Sequence, residues 1–354
     1  MRKGFRGKNE QGLVSIMVAT ILMIILSLIT VGFARLMQRE QRLSLDRTLS
    51  TGAFYAAESA VDEAVNKIQN KNYTSNKSTC ATDVDFSGQV DSALGASYTC
   101  LLIDQSPDTL EYTQGAIKID QSKVIPFSSE TGVKIGQISI GWEASSAPSG
   151  TTFEDCSIAP TKLPAFSSWT NPTGMLRIDV IPADLASMTR QSLIDNTVSL
   201  YLYPCNSGGV SVSQIDFASN LPDGTKGQII PVSCATSNTP RDCLLILDKP
   251  VGNAKYYIRA RSVYKPSDMT IRIYDTTTPT ANQLAIKDAQ VLIDATGKVN
   301  DVLRRIQVRV PVHKTYQVPE YVIETTDSIC KQIQIAPPDS VFGVGPDAGQ
   351  TCPY

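Results

Sequence analysis

The chain has 354 residues with 32 basic and 34 acidic side chains, which gives a formal net charge of −2 at pH 7. This balance excludes a chain-wide polycation or polyanion, so a nucleic-acid partner would require a local basic patch. The length leaves room for one large or two ordinary folded domains.

The first element is an apolar segment, Leu13–Phe33, with 21 residues and no formal charge, and Arg35 closes it. About 20 apolar residues in a helix cross the hydrocarbon core of a bilayer. The preceding segment carries four basic residues against Glu10, namely Arg2, Lys3, Arg6 and Lys8. Because excess positive charge marks a cytoplasmic flank, the sequence predicts one membrane helix over residues 13–34 with the rest of the chain outside.

Three interpretations of this N-terminus stay open. A secretory signal peptide has an apolar core of about 7–15 residues before a small-residue cleavage site. Here the core is longer, and the best cleavage motif, Gly32-Phe33-Ala34, is poor. An uncut signal anchor fits both length and charge. The third interpretation is a cleaved leader.

The cleaved leader is suggested by a resemblance. A short basic leader ending at Gly12, followed by an apolar helix that runs into an amphipathic one, resembles the class III leader of type IV pilins and pseudopilins. The segment GAFYAAESAVDEAV, residues 52–65, is similar to the matching segment of PilX-like minor pilins, and the resemblance spans about residues 4–70. It implies a leader of residues 1–12, cleavage by a prepilin peptidase between Gly12 and Leu13, and N-methylation of Leu13. Other pilins and membrane lipid are the implied partners.

The sequence departs from the pilin pattern at the fifth residue after the cleavage site. Pilins usually have Glu there, which is thought to pair with the terminal amine of a neighbouring subunit, whereas this chain has Met17. A carboxylate in lipid is costly unless it is paired, so its absence removes a repeating docking contact. The resemblance then implies a minor pilin that primes or caps the filament.

The segment after Arg35 continues the helical pattern. Its apolar residues recur at steps of three and four, which places them on one helical face: Leu45, Leu49, Ala53, Ala57, Val61, Ala64, Val65 and Ile68. We therefore expect residues 35–72 to extend the helix as an amphipathic segment that ends near Asn70, before a polar, turn-prone run.

From Cys80 onward the apolar period changes from that of a helix to the alternation of strands. The clearest alternation lies in residues 137–142, 176–182 and 197–203. Further strands are predicted at 98–104, 116–119, 227–232, 243–247, 256–263, 269–274, 289–293 and 303–310. Turns are predicted at 206–209, 222–224 and 295–298, and one short helix at 185–194. The predicted fold class is α+β, a long N-terminal helix packed on a disulfide-stapled antiparallel β head.

The segment ASSAPSGTT, residues 144–152, is the best candidate linker. It would divide a first β region, residues 73–145, from a main antiparallel β region, residues 150–320, with a C-terminal tail at 321–354. A single enlarged head is the alternative.

All eight cysteines lie on the predicted external side, which fits disulfides formed in an oxidising compartment. Eight cysteines allow 105 pairings, so the connectivity stays open. Local pairs are suggested at Cys80–Cys100 and Cys234–Cys243. A Cys330–Cys352 pair that tethers the tail would resemble the C-terminal disulfide loop of pilins, and Cys156–Cys205 is then left.

No catalytic or cofactor site is predicted. The chain has a single histidine, His313, with no nucleophile motif beside it, and the cysteines lack zinc-site spacing. Phosphate-loop and dinucleotide-binding glycine patterns are absent. Residues 294–301 carry oxygen donors around a turn, but without the alternating spacing of a calcium loop, so a hairpin turn is favoured. A secreted hydrolase would need an unrecognised carboxylate site.

Four arginines suggest a basic surface: Arg259, Arg261, Arg305 and Arg309. If the strands that carry them pair, a basic stripe with Tyr257 results, and such a stripe suits single-stranded nucleic acid. A charged solvent-facing surface is the favoured interpretation, so nucleic acid is disfavoured as a partner.

The leading hypothesis is a structural protein, a minor pilin of a type IV pilus or pseudopilus. It would prime or cap the filament at the cell surface and display its head for assembly or for adhesion to a surface ligand or host cell. The alternative is a single-pass, membrane-anchored extracellular binding protein with no filament role.

Overall fold

A computed structural model of the protein describes residues 10–81, 85–86, 88–92, 95–119, 121–145, 152–159, 164–185, 189–208, 213–216, 226–235, 241–248, 253–275 and 282–312. Several predictions concern residues outside this set. They are residues 1–9 of the leader, residues 146–151 of the linker, the turn at 222–224, His313, and the tail with Cys330 and Cys352.

Helix α1 spans Glu10–Gln69, 60 residues, which corresponds to about 90 Å at 1.5 Å per residue. It ends where the pattern predicts. Lys71 adopts a left-handed φ of 59°, the N–H of Asn72 donates to the Lys67 carbonyl at 2.9 Å, and the N–H of Lys71 donates to the Ile68 carbonyl at 2.9 Å. These two bonds form a Schellman motif, which satisfies the last carbonyls of the helix.

In the part of the chain that the structure describes, α1 is followed by sixteen strands, a second, short α-helix, and two 3-10 helices at Cys156–Ile158 and Phe166–Ser168. In chain order the strands and the α-helix are β1 Gln89–Asp91, β2 Ala96–Asp104, β3 Leu110–Ile117, β4 Lys123–Ser129, β5 Gln137–Ala144, β6 Met175–Pro182, α2 Arg190–Asn196, β7 Val198–Cys205, β8 Ser213–Asp216, β9 Lys226–Ser233, β10 Cys243–Asp248, β11 Lys255–Val263, β12 Ser267–Tyr274, β13 Gln283–Leu284, β14 Ile286–Lys287, β15 Gln290–Val299 and β16 Val302–Pro311.

The strands form three sheets. A four-stranded sheet has the order β1-β2-β15-β16, and it packs against α1. The six strands β14-β4-β11-β6-β7-β9 form a second sheet, and β13-β12-β5-β10-β8 form a third, in which β3 also pairs with β12. Most pairs are antiparallel, whereas β7 with β9 and β8 with β10 are parallel. The predicted α+β architecture is confirmed.

The two six-stranded sheets share one apolar core. Alternate residues face inward, among them Trp142 of β5, Ile178 of β6 and Ile258 of β11, each fully buried. The indole N–H of Trp142 donates to the Gly174 carbonyl at 3.0 Å, so the largest buried side chain has no unsatisfied donor.

The sheet beneath α1 draws its strands from both ends of the β-rich sequence. Strands β1 and β2 follow the helix directly, while β15 and β16 come about 190 residues later and pair with β2 through β15. Strand β5, which falls in the predicted first β region, pairs instead with β10 and β12. The division into regions 73–145 and 150–320 stays a prediction.

The described residues form three disulfides, Cys80–Cys100, Cys156–Cys205 and Cys234–Cys243. These are three of the four pairs that the sequence suggested. In the chain-entropy description, closing loops of 20, 49 and 9 residues stabilises the fold by about 3–4 kcal/mol each.

The predicted turn at 295–298 is wrong. These residues lie inside β15, paired with both β2 and β16, and the hairpin turns at Asn300 and Asp301 instead, where Asn300 has a φ of 53°. The alternation of apolar residues ends before Ala295, and glycine, here Gly297, is common in turns. The predicted strand therefore ended too early, at residue 293. The predicted helix at 185–194 likewise begins later, at Arg190.

Candidate membrane helix and its junction with the sheet

The helix α1 divides into two segments by exposure. The outer segment, residues 15–48, is exposed throughout, whereas the inner segment, residues 49–69, buries one face against the four-stranded sheet. Within Ser15–Gln69 the most apolar window of 18 residues has a mean hydropathy of 2.7, and none of it is buried. By length and composition this is the one described helix that could cross a membrane.

Three hydroxyl side chains within the apolar stretch form hydrogen bonds to the helix backbone. The hydroxyl of Thr20 donates to the Met17 carbonyl at 2.9 Å, and that of Ser27 donates to the Met23 carbonyl at 2.7 Å. Thr30 donates in the same way to the Leu26 carbonyl. Since lipid offers no hydrogen-bond partner, these bonds make the three hydroxyls compatible with a membrane environment.

The apolar character of the helix extends beyond Arg35. Six large apolar side chains of α1 on the C-terminal side of that arginine have between 47% and 66% of their surface exposed: Leu36, Met37, Leu43, Leu45, Phe54 and Tyr55. At 3.6 residues per turn Leu45 lies opposite Leu36, whereas the other five share one side of the helix. We call these five residues the exposed stripe. Residues 18 apart return to the same side after five helical turns, so Leu36 aligns with Phe54 and Met37 with Tyr55, about 27 Å further along. Charged residues interleave with them.

The inner segment packs through small side chains. Its fully or almost fully buried residues are mostly alanines, namely Ala53, Ala56, Ala57, Ala60 and Ala64, followed by Val61 and Ile68. On the sheet side, Gly297 of β15 lies directly beneath them. A Cβ on Gly297 would lie 2.5 Å from the backbone nitrogen of Ala57 and closer still to the carbonyl oxygen of Ala53. The backbones of helix and strand are therefore in contact, and only glycine fits between them.

Polar contacts fix the helix on the sheet at the edges of this interface. The hydroxyl of Tyr98 on β2 donates to Glu63 Oε2 at 2.8 Å, and Glu63 lies 3.6 Å from the Lys67 ammonium one turn later. The Lys67 ammonium also lies 4.5 Å from the ring centroid of Phe86. Arg304 of β16 donates to the Ser50 hydroxyl at 2.6 Å. Together these contacts set the rotation of α1 about its axis.

The predicted processing residues lie at the start of the described helix. Gly12 and Leu13 fall in the first turn of α1, and Met17 follows with 64% of its surface exposed. The helix begins at Glu10, so the backbone around the proposed cleavage site is helical.

The four arginines of the proposed basic surface are not brought together as one stripe. Arg259 and Arg261 lie on β11, which pairs with β4 and β6, while Arg305 and Arg309 lie on β16, which pairs with β15. The condition for the stripe, pairing of β11 with β16, is therefore not met. The two strands lie in different sheets because the chain leaves the sheet of β11 after β14 and enters the sheet under the helix at β15.

Each of these arginines also has a partner. Arg305 donates to both oxygens of Asp294, at 2.7 and 3.0 Å, and this hydrogen bonding raises the pKa of the Arg305 guanidinium. Arg259 lies 3.9 Å from Asp179, and Arg261 donates to the Ile119 carbonyl at 2.8 Å. These arginines therefore bind groups of the protein itself, in contacts that are partly exposed to solvent.

Asp294, the first of the oxygen donors in residues 294–301, accepts a hydrogen bond from Arg305. Across the described ranges there is no group of three or more histidine, cysteine, aspartate or glutamate side chains placed to hold a metal ion.

The sequence patterns did not indicate two features of this site, the hydroxyl-to-carbonyl hydrogen bonds within α1 and the close approach of α1 to Gly297. The Thr20, Ser27 and Thr30 hydroxyls are polar residues within an apolar run, and their bonds to carbonyls three or four residues earlier follow from helical spacing. The role of Gly297 has no pattern in the sequence, because the need for glycine there comes from a tertiary contact with Ala53 and Ala57.

The fold and the exposed helix define a class of protein, a β-rich body carried on one long apolar helix that is suited to anchor it in a membrane. Comparisons with protein-family models, with curated proteins and with solved structures find no match for the chain.

Proposed function

We propose that the protein is a minor pilin of a type IV pilus or pseudopilus, which primes or caps the filament and displays its β-rich body for assembly or adhesion. In this proposal a prepilin peptidase cleaves after Gly12, and α1 then leaves the membrane to join the helices of neighbouring subunits. The role is structural and involves no catalysis.

The observation that carries the proposal is that large exposed apolar side chains continue along α1 past the uncharged run that would span a bilayer. The outer segment is about 50 Å long at 1.5 Å per residue, whereas the hydrocarbon core of a bilayer is about 30 Å thick. The exposed stripe continues to Tyr55, well past Arg35. In a protein that is only anchored, these side chains would face water or headgroups. Helices of neighbouring subunits in a filament would instead bury them.

Met17 supports a low-copy position in such a filament. The pilin resemblance places a glutamate at this position, and a thioether has no charge to pair with the terminal amine of another subunit. Because the apolar thioether enters lipid without a partner, the substitution retains membrane insertion while removing one repeating contact.

The alternative is a single-pass membrane-anchored binding protein, with an uncut helix and a cytoplasmic N-terminus. The exposed helix and its internally bonded hydroxyls support this function equally well. Cleavage at Gly12 separates the two functions, because only filament entry requires a new N-terminus.

Mass spectrometry of the N-terminal peptide, from the full-length protein isolated in its native membrane, tests the proposal. We expect the chain to begin at N-methylated Leu13. Gly12→Leu places a bulky side chain at the cleaved bond and is expected to leave the leader attached. Gly7→Leu is the matched control, a glycine of the same leader at which processing is expected to be normal.

Two other results would contradict the proposal. A chain that starts at Met1 would leave the membrane-anchored binding protein as the function. A chain that starts just after Ala34 would identify the apolar segment as a secretory signal peptide and remove the anchor.

A further inference from the structure

An open groove of about 750 Å³ lies where the sheet under α1 meets the edges of the two six-stranded sheets. One wall is the face of β15 and β16 that is turned away from the helix, where Leu292 and Arg309 are directly paired. The other wall consists of β3, the first half of β4, and Tyr257 of β11. The gap exists because β14 pairs only with Ser128 and Ser129 at the end of β4 before the chain crosses into β15.

Several polar side chains in the groove are held in place by the protein. Asp288 accepts a hydrogen bond from the Ser128 hydroxyl at 2.7 Å. Arg309 donates to the Thr109 carbonyl at 2.6 Å and lies 3.3 Å from Glu111. The amide of Gln290 donates to the Glu111 carbonyl at 2.8 Å and accepts from the Glu111 N–H at 3.0 Å. Fixed donors and acceptors of this kind lose little entropy when a ligand binds.

An aromatic ring sits beside these polar groups. Tyr257 lines the groove with 41% of its surface exposed, and its strand partner Pro126 lines the groove next to it. A partly exposed ring of this size offers a flat apolar surface to a ligand while its hydroxyl stays available for hydrogen bonding.

The composition of the groove excludes several kinds of ligand. Its charged side chains are two acids, Glu111 and Asp288, and two bases, Lys123 and Arg309, so it lacks the positive field that a nucleic acid requires. Pro126 has no backbone N–H to donate, which disfavours addition of a peptide strand to the β4 edge. A ligand with flat apolar faces and many hydroxyl groups would match the exposed ring of Tyr257 and the fixed polar side chains of the groove. A sugar chain has this chemistry.

Lys123 adds a charge preference. Its ammonium lies 4.7 Å from the ring centroid of Tyr112, and no carboxylate in the described part of the chain forms an ion pair with it. Burial, together with the charge of nearby Lys118, lowers the pKa of Lys123. A ligand anion in the groove would favour the charged form of this side chain.

We propose that the groove binds an acidic oligosaccharide, with one sugar ring stacked on Tyr257 and a carboxylate of the sugar paired with Lys123. By strand register, Lys123 lies three residues along β4 from the partner of Tyr257, so the two side chains leave opposite faces of the sheet. Both line the groove because it follows the edge of β4 that β14 leaves open, and a ligand that contacts both side chains passes around this edge. The inference does not depend on cleavage at Gly12, since a filament subunit and an anchored protein would display the same groove.

Isothermal titration calorimetry on the full-length protein in lipid nanodiscs tests the inference. Nanodiscs are needed because the sugar headgroups of maltoside detergents would compete for the groove. The probes are two matched pairs, tetragalacturonate with galactotetraose and sialyllactose with lactose. We expect at least one acidic sugar to bind at least tenfold more tightly than its neutral partner.

Variants assign the binding to the groove. Tyr257→Ala is expected to weaken binding of that sugar at least tenfold, whereas Tyr257→Phe keeps the ring and the affinity. Lys123→Gln is expected to remove the difference between the acidic and neutral sugars. Phe166→Ala is the matched control, because Phe166 is an aromatic residue of the β body with 70% of its surface exposed and lies outside the groove.

Absence of binding to all four sugars, or binding that Tyr257→Ala leaves unchanged, would overturn the proposal. Equal affinities for the acidic and neutral sugars in the unmodified protein would overturn the assignment of Lys123. Circular dichroism of each variant establishes that a loss of binding does not come from unfolding.

Discussion

The two segments of α1 use apolar residues in opposite ways. The outer segment has large side chains on all sides, such as Leu28 with 68% of its surface exposed, and every one of its residues is exposed. The inner segment has alanines on one face, and these are buried almost completely against β15, β16 and β2.

This difference follows from what each segment packs against. Lipid tails, or helices of other subunits, accommodate large side chains, since nothing fixed in the protein limits their volume. The sheet is rigid, and the helix approaches it until the backbones touch, which leaves space only for alanine and glycine. Side-chain size, more than hydropathy, therefore separates the segment that the protein itself buries from the segment that it leaves exposed.

Gly297→Ala should give the largest effect on this comparison. The new Cβ would lie 2.5 Å from the Ala57 nitrogen, and because backbone rather than a flexible side chain is in the way, helix and strand must move apart. We expect the free energy of unfolding to fall by about 3 kcal/mol or more. Urea unfolding of the full-length protein in micelles, followed by circular dichroism, measures this loss.

Gly32→Ala is the control for that substitution. Gly32 lies in the outer segment, where a Cβ would meet nothing within 4 Å, and alanine is a better helix former than glycine by about 1 kcal/mol. We expect stability equal to or above that of the parent protein. Equal stability of the Gly297→Ala and parent proteins would mean that the helix does not press on the sheet as described.

The sequence predicted the helix well because its signal is long and periodic. Residues from Leu13 to about Asn70 were expected, and Glu10–Gln69 is helical. The apolar face was also identified, except that Leu45 is 58% exposed because the sheet begins beyond it. The period of apolar residues identifies the apolar face of a helix, but it does not show where along the helix the sheet that covers this face begins or ends.

Strands with strong alternation were predicted, and those that depend on the sheet around them were missed. Strand β7 matches the predicted segment at 197–203 closely. Strand β4 was not predicted, because Pro126 interrupts its pattern, and that proline is tolerated only since this part of β4 is a sheet edge. The groove was also missed. It is lined by β11 and β16, which belong to different sheets, and the sequence does not indicate how the sheets are placed next to each other.

Tyr98→Phe should give an intermediate effect on the inner segment. The substitution removes the hydroxyl that donates to Glu63 at 2.8 Å across the interface of helix and sheet, while the buried ring remains. We expect a loss of about 1 kcal/mol in the free energy of unfolding, because the Glu63 carboxylate keeps Lys67 and solvent as partners.

Tyr55→Phe is the matched control on the same helix. Tyr55 is 61% exposed on the side away from the sheet, so loss of its hydroxyl should leave stability unchanged. Equal losses in the two variants would indicate that the Tyr98 hydroxyl does not hold the helix on the sheet.

Phe54→Ser should have the smallest effect on folding and tests what the exposed stripe is for. Phe54 is 47% exposed and adjoins the buried Ala53 without sharing its face. Since an exposed substitution changes stability by about 0.5 kcal/mol or less, the urea midpoint should stay near that of the parent protein. If helices of other subunits bury the stripe, the same variant should be depleted severalfold from sheared filaments, as quantified by mass spectrometry. Phe166→Ser makes the same change at an exposed site of the β body and should leave incorporation normal. Normal incorporation of Phe54→Ser would instead mean that this part of the helix faces solvent, as expected of a protein that is only anchored.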